Sequence, residues 1–247
     1  MKTILVAVSI IITAGAAYCM IGGPIFTVGN QMTAMTVEGG RFTMKTTTPT
    51  GSGSQSATMD RVMLTARYGV LSNVDLSASL GTSNLGFTNL YGGYADFKSS
   101  WSFAWGAGMR AGYPVEPGPY QVVGCVQYFG FQPKGSTTNG TEVIDSQYMW
   151  HEIAVSAAGG MRFGTLLPYA GLSKPYLFGN HTVSVAMHGK EFPTAGGTHS
   201  YADGEQGLRG ILGLEWKLPE GYALSAEGST NSDGAWALTV GFAQVLK

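Results

Sequence analysis

The chain has 247 residues and a net charge of −1, and only 12% of its residues are charged, about half the roughly 25% of ordinary soluble domains. Its 37 glycines are about twice the usual ~7% share, yet the apolar fraction is an ordinary 44% and the mean hydropathy only +0.09. These values exclude a polytopic helical membrane protein, and the absence of any basic run leaves nucleic acid nothing to grip. A barrel that alternates lipid-facing and lumen-facing residues averages out near zero in this way.

The first residues read as a secretory signal. Lys2 is the positive n-region, Ile4 to Ile12 a short apolar run, and Ala14-Gly15-Ala16 a small-x-small site, so cleavage is expected after Ala16 or Ala17. Residues 1–17 are then the signal and 18–247 a single domain outside the cytoplasm. The competing reading is a lipid anchor on Cys19, against which stand Tyr18 just before it and Ala16 where a Leu is typical. Cys19 and Cys125 give neither a disulfide framework nor a zinc-ligand spacing, and Cys125 reads as a small residue packed in a strand.

Beyond the signal, period-two alternation dominates, and ten strands are predicted. The first is Met32 to Lys45, with a bulge expected at Gly39-Gly40, followed by a Thr/Ser/Gly loop. The clearest stretch is the hairpin Asp60 to Gly81, turning at Ser72-Asn73. Val62, Leu64, Ala66 and Tyr68, then Val74, Leu76, Ala78 and Leu80, share its apolar face. A loop over Thr82 to Ser99 leads to strand four, Ser100 to Tyr113, with Trp101, Phe103, Trp105, Ala107, Met109 and Ala111 on one side. Strand five, Tyr120 to Phe131, is apolar on both faces. After a polar loop at Pro133 to Ser146 come Gln147 to Phe163 and Leu167 to Phe178, joined at Gly164-Thr165. The longest loop, Gly179 to Glu205, precedes the last three strands: Gln206 to Leu218, Tyr222 to Thr230 and Ala235 to Leu246.

Connectors after strands two, four, six and eight are short, those after one, three, five and seven are long, and only the last, after nine, breaks the pattern. This is the asymmetry of outer-membrane barrels. Trp101, Tyr113, Tyr120, Tyr148, Trp150, Tyr169, Trp216, Tyr222 and Trp236 fall near strand ends, where interfacial girdles belong. The expected fold is an all-β, closed, antiparallel, up-and-down transmembrane β-barrel of about ten strands, with eight or twelve as neighbouring counts. A secreted soluble β-sandwich binding domain is the alternative architecture.

The face opposite the apolar one carries Arg61, Arg67, Asp75, Arg110, Glu152, Arg162, Arg209, Glu215, Lys217 and Glu227. These are the candidate lumen-lining residues, as a paired polar core that stiffens the barrel or as the lining of a thin aqueous pore. The small residues Gly106, Gly108, Gly241 and Ala243 leave room for either. His181, His188 and His199, with Glu191, Asp203 and Glu205, lie in the longest loop and read as solvated side chains; no HExxH pair, P-loop or GxSxG elbow is present.

The stretches RYGVLSNVDLSASLG, SFAWGAGMRAGY, WHEIAVSAAGGMRFGTLLPYAGL and ALTVGF together resemble the small, porin-like outer-membrane β-barrel proteins of Gram-negative-type bacteria. The likeness spans roughly Val62 to Phe242 and implies a barrel in the outer membrane. Such chains usually end in an aromatic residue, whereas this one continues past Phe242 to Lys247. The expectation is a non-enzymatic protein without metal or cofactor. Its role would be a narrow channel for small polar solutes or a structural barrel, with outer-membrane lipid as its partner. In the alternative, the loops at 82–99, 133–146 and 179–205 bind an external ligand and the protein acts in surface adhesion.

Overall fold

The computed structural model describes residues 27–47, 54–89, 95–115, 119–139, 142–187, 190–191, 197–203 and 207–246. The expected signal, Cys19, His188 and much of the Thr/Ser/Gly loop lie outside the described residues. Ten long strands among them form the barrel: β1 (Thr33–Thr47), β2 (Ser54–Leu71), β3 (Val74–Ser83), β4 (Ser102–Val115), β5 (Tyr120–Phe131), β6 (Glu142–Met161), β7 (Leu166–Met187), β8 (Arg209–Lys217), β9 (Tyr222–Thr230) and β10 (Trp236–Leu246). Each pairs antiparallel with its neighbour in sequence. β1 also pairs with β10, from Thr33↔Leu246 to Phe42↔Ala237, which closes the sheet and rules out a two-sheet sandwich.

Closure follows from the two-sided alternation. Through the middle of β2, β3, β4 and β8 every second residue is apolar and faces outward: Leu64, Leu80, Phe103 and Met109 are half-exposed, and Leu212 is 70% exposed. In water such a belt would be a large exposed apolar patch, whereas in lipid it is the solvated face. Along β4 the outward residues run from Phe103 to Tyr113. Ten residues at about 3.3 Å, tilted as barrel strands are, climb roughly 25 Å, the height of a barrel's apolar band.

Aromatic side chains edge this belt. At the short-turn end are Tyr68, Tyr113, Tyr120, Phe163 and Trp216, with Tyr222 stacked on Phe242 at 5.5 Å. At the other end Phe103, Trp105, His151 and Phe178 make a continuous ribbon, and the Tyr128 hydroxyl meets His151 Nδ1 at 2.7 Å. Three expected girdle residues, Tyr148, Trp150 and Tyr169, instead point inward and are buried. Their parity decides this: Tyr148 and Trp150 sit in step with Glu152, and Tyr169 in step with Leu167.

Three further expectations need correction. The bulge predicted at Gly39-Gly40 is absent, since β1 keeps one register with both neighbours; the register shift lies in β2, between Gly69 and Leu71. The stretches 82–99, 133–146 and 179–205 are not simple loops. Gly86–Asn89 pairs with Ala95–Lys98, Lys134–Asn139 with the start of β6, and Gly197–Asp203 with the end of β7. The sheet therefore rises well past the apolar belt. Beyond the lipid no face has to be greasy, so these Thr- and Ser-rich strands lack the alternation that reveals the others. Finally, His181 is not a solvated loop residue but an inward, 2% exposed side chain stacked on Tyr148, with ring centroids 4.0 Å apart.

Candidate lumenal site

The interior divides into two storeys. Toward the long-hairpin end, inward positions of β1, β2, β5, β6 and β7 bring together Phe42, Met44, Met59, Phe131, Trp150 and Leu177. Trp150 is 1% and Phe131 0% exposed, and their rings lie 6.1 Å apart. Leu85, Phe87 and Phe97 from the raised hairpin join the same cluster. Asn84 holds that hairpin's foot: its backbone N–H donates to the Asp60 carbonyl and its side-chain oxygen accepts from the Asp60 N–H, both at 2.9 Å.

Toward the short turns the lining becomes ionic. Arg67, Asp75, Arg110, Glu152, Arg209, Glu215 and Glu227 all occupy inward positions and are between 0% and 4% exposed. Arg61, Arg162 and Lys217 share the inward side and are partly exposed. Of the ten residues singled out from the sequence, seven are thus buried at inward strand positions and three are partly exposed. Arg67 Nη1 lies 3.9 Å from Asp75 Oδ2, within the field of Glu38, Glu215 and Arg110. Tyr169 donates its hydroxyl proton to Glu227 Oε2 at 2.9 Å, its ring lying across Gly213 on the intervening strand. A Cβ at Gly213 would fall on that ring, so this glycine is what lets Tyr169 lie flat against the wall. Cys125 is inward and buried, opposite Arg110 in register. Two hydroxyl pairs, Ser156–Ser173 at 2.9 Å and Thr65–Ser79 at 2.8 Å, tie neighbouring strands.

Two guanidinium groups mark the border between the storeys. Arg61 lies over the Phe129 ring at 3.7 Å, and Arg209 over Phe42 at 5.4 Å. Beside Arg61 a void of about 30 Å³ remains among Glu38, Ser77, Ser79, Gln127 and Glu152. A single water needs roughly 10–15 Å³, so the space holds one or two waters and no larger solute.

Glu38 is the member of this set that sequence reading missed. It faces inward from β1, opposite Met63 and Gly241 in register, and raises the acidic side from four groups to five against six basic ones. The signal was present as the in-step series Thr36, Glu38, Gly40, Phe42, but an expected bulge at Gly39-Gly40 hid which face Glu38 takes. Tyr169 was likewise missed, having been assigned to the girdle.

No known protein family matches the chain, and no curated protein matches it in sequence. Among solved structures it is similar to the translocator domain of the autotransporter NalP from Neisseria meningitidis, at 14% identity, 89% coverage of each chain and a TM-score of 0.48. An outer-membrane channel from Pseudomonas putida F1 aligns at 8% identity over 91% of this chain and 98% of that one, with a TM-score of 0.48. The outer-membrane protease OmpT from Escherichia coli aligns at 9% identity over 91% and 97%, with a TM-score of 0.42. None of the three is close enough to lend this chain its activity.

Proposed function

We propose that the protein is a non-enzymatic barrel of the bacterial outer membrane whose lumen is shut in this conformation. In this reading the short turns face the periplasm, and the tall β wall beyond the apolar belt faces outside. The observation that carries it is the burial of the inner charges: seven ionic side chains that would line a pore are at most 4% exposed. A water-filled channel would solvate them. Packed against one another they act as cross-braces, because charges withdrawn from water need opposite charges and hydrogen bonds close by. The raised hairpins then form the working surface, held rigidly above the membrane.

A second reading, a narrow channel for small polar solutes, is favoured by the water-sized void between Arg61, Glu38 and Glu152. It requires the aromatic storey to move. Planar-bilayer recording of refolded protein, with heat-modifiable gel mobility proving that it is folded, separates the two. The shut barrel predicts a silent membrane, and steady discrete steps from wild-type protein overturn it in favour of the channel.

A further inference from the structure

Before β1 begins, the stretch Thr27 to Met32 turns back across the periplasmic mouth. Its Val28 is buried and donates its backbone N–H to both carboxylate oxygens of Asp75, at 3.1 Å each. The Gln31 N–H donates to the Gly69 carbonyl at 2.8 Å, and the Gly69 N–H returns a bond to the Met32 carbonyl at 2.9 Å. The Thr27 hydroxyl reaches the Ser72 carbonyl at 3.4 Å. To follow this path Gly29 takes φ +98° and Gln31 φ +58°, the latter in a region a side chain enters only when held there.

The wall is shaped to receive this stretch. A Cβ at Gly69 would land on the Gly29 carbonyl, and one at Gly112 would come within 2.8 Å of the Thr27 methyl. Asp75, which accepts the Val28 amide, is also the carboxylate facing Arg67, so the stretch is joined to the ionic storey.

We infer that the periplasmic mouth is a built seat for a short turn of peptide backbone, with Gly69 and Gly112 giving clearance and Asp75 the anchoring acceptor, and that Thr27 to Met32 is its occupant in cis. The stretch is a strap that closes the lower lumen. Its bonds to Asp75 and Ser72 lie outside the ladders that close the barrel, so the strap undocks while the ten strands stay paired. The inference rests on the membrane barrel and not on whether the upper storey conducts.

Cys125 is a native reporter. It lies in the same row as Asp75 and Arg110, which are partners in register, and it is 5% exposed. With Cys19→Ser as background, refolded barrel is treated with a small water-soluble methanethiosulfonate, and amide exchange at Val28 is followed in parallel. Wild-type protein is expected to label slowly with Val28 protected. Gly69→Ala, which drives the strap out, should raise both rates by about tenfold or more, since local opening sets such rates. Gly39→Ala, at an outward position where the added methyl meets nothing nearer than 3.9 Å, should match wild type. If Gly69→Ala does not fold, a mature chain beginning at Met32 tests the same point through Cys125 labelling alone, with the same rise of about tenfold expected. Slow wild-type labelling left within about twofold by loss of the strap overturns the strap alone. Fast labelling of wild type with an unprotected Val28 overturns both the strap and the shut lumen.

Discussion

The two storeys of the interior solve one problem, filling a ten-stranded barrel, with opposite chemistry. The upper one packs Trp150, Phe131, Phe42 and Met59 as a soluble core would, and its strands continue out of the membrane into water. The lower one, surrounded by lipid on the outside, sets arginines and carboxylates beside a smaller apolar cluster of Val123, Leu167, Tyr169 and Ile211. Burial against water is therefore not what separates them. The upper wall has no lipid to organise it, so its raised strands are held by the apolar cluster they enclose. The lower wall is already fixed by lipid and by its ladders, and its buried polar side chains tie nearby strands, Arg67 to Asp75 and Tyr169 to Glu227.

The contrast can be attacked from both ends. Trp150→Ala should cost about 3–5 kcal/mol, the usual loss for emptying a large aromatic site, read as a lower urea midpoint for the folded gel band. A loss below about 1 kcal/mol would mean that the upper storey is loosely packed. Arg67→Met takes from Asp75 the cation of its ion pair and leaves it only Arg110, its partner in register, and the Val28 N–H. It should cost about 3 kcal/mol, with Arg67→Lys losing visibly less. Equal losses for the two would make the lower storey a matter of volume rather than charge. Tyr169→Phe keeps the ring over Gly213 and deletes only the bond to Glu227. About 1.5–2 kcal/mol is expected, as for a hydrogen bond to a buried carboxylate, and no loss would show that Glu227 is held by other partners.

Much of the lower storey was legible in the sequence. Lipid imposes strict alternation, and a residue such as Arg110 or Glu215 in step against Met109 or Leu214 declares its side. The upper storey was not. Tyr148 and Trp150 near a strand end carry the same composition signal as a girdle, and only the parity they share with Glu152 turns them inward. His181 looked like a loop residue because β7 runs on through polar sequence to Met187. The strap across the mouth left no periodic trace at all, and Gly69 and Gly112 announce it only once the backbone opposite them is known.

The seam between β1 and β10 joins Thr33 to Leu246. Bringing such distant residues together costs only about 3 kcal/mol more than closing a ten-residue hairpin, because loop entropy grows logarithmically. Equilibrium therefore tolerates the seam easily; timing is the harder matter. β10 is the last of the ten strands in the chain, and until it docks β1 and β9 each carry a bare edge that lipid cannot satisfy. An assembling chain of this kind has no paired halfway barrel to rest in, and must be kept from its neighbours until the ring can shut.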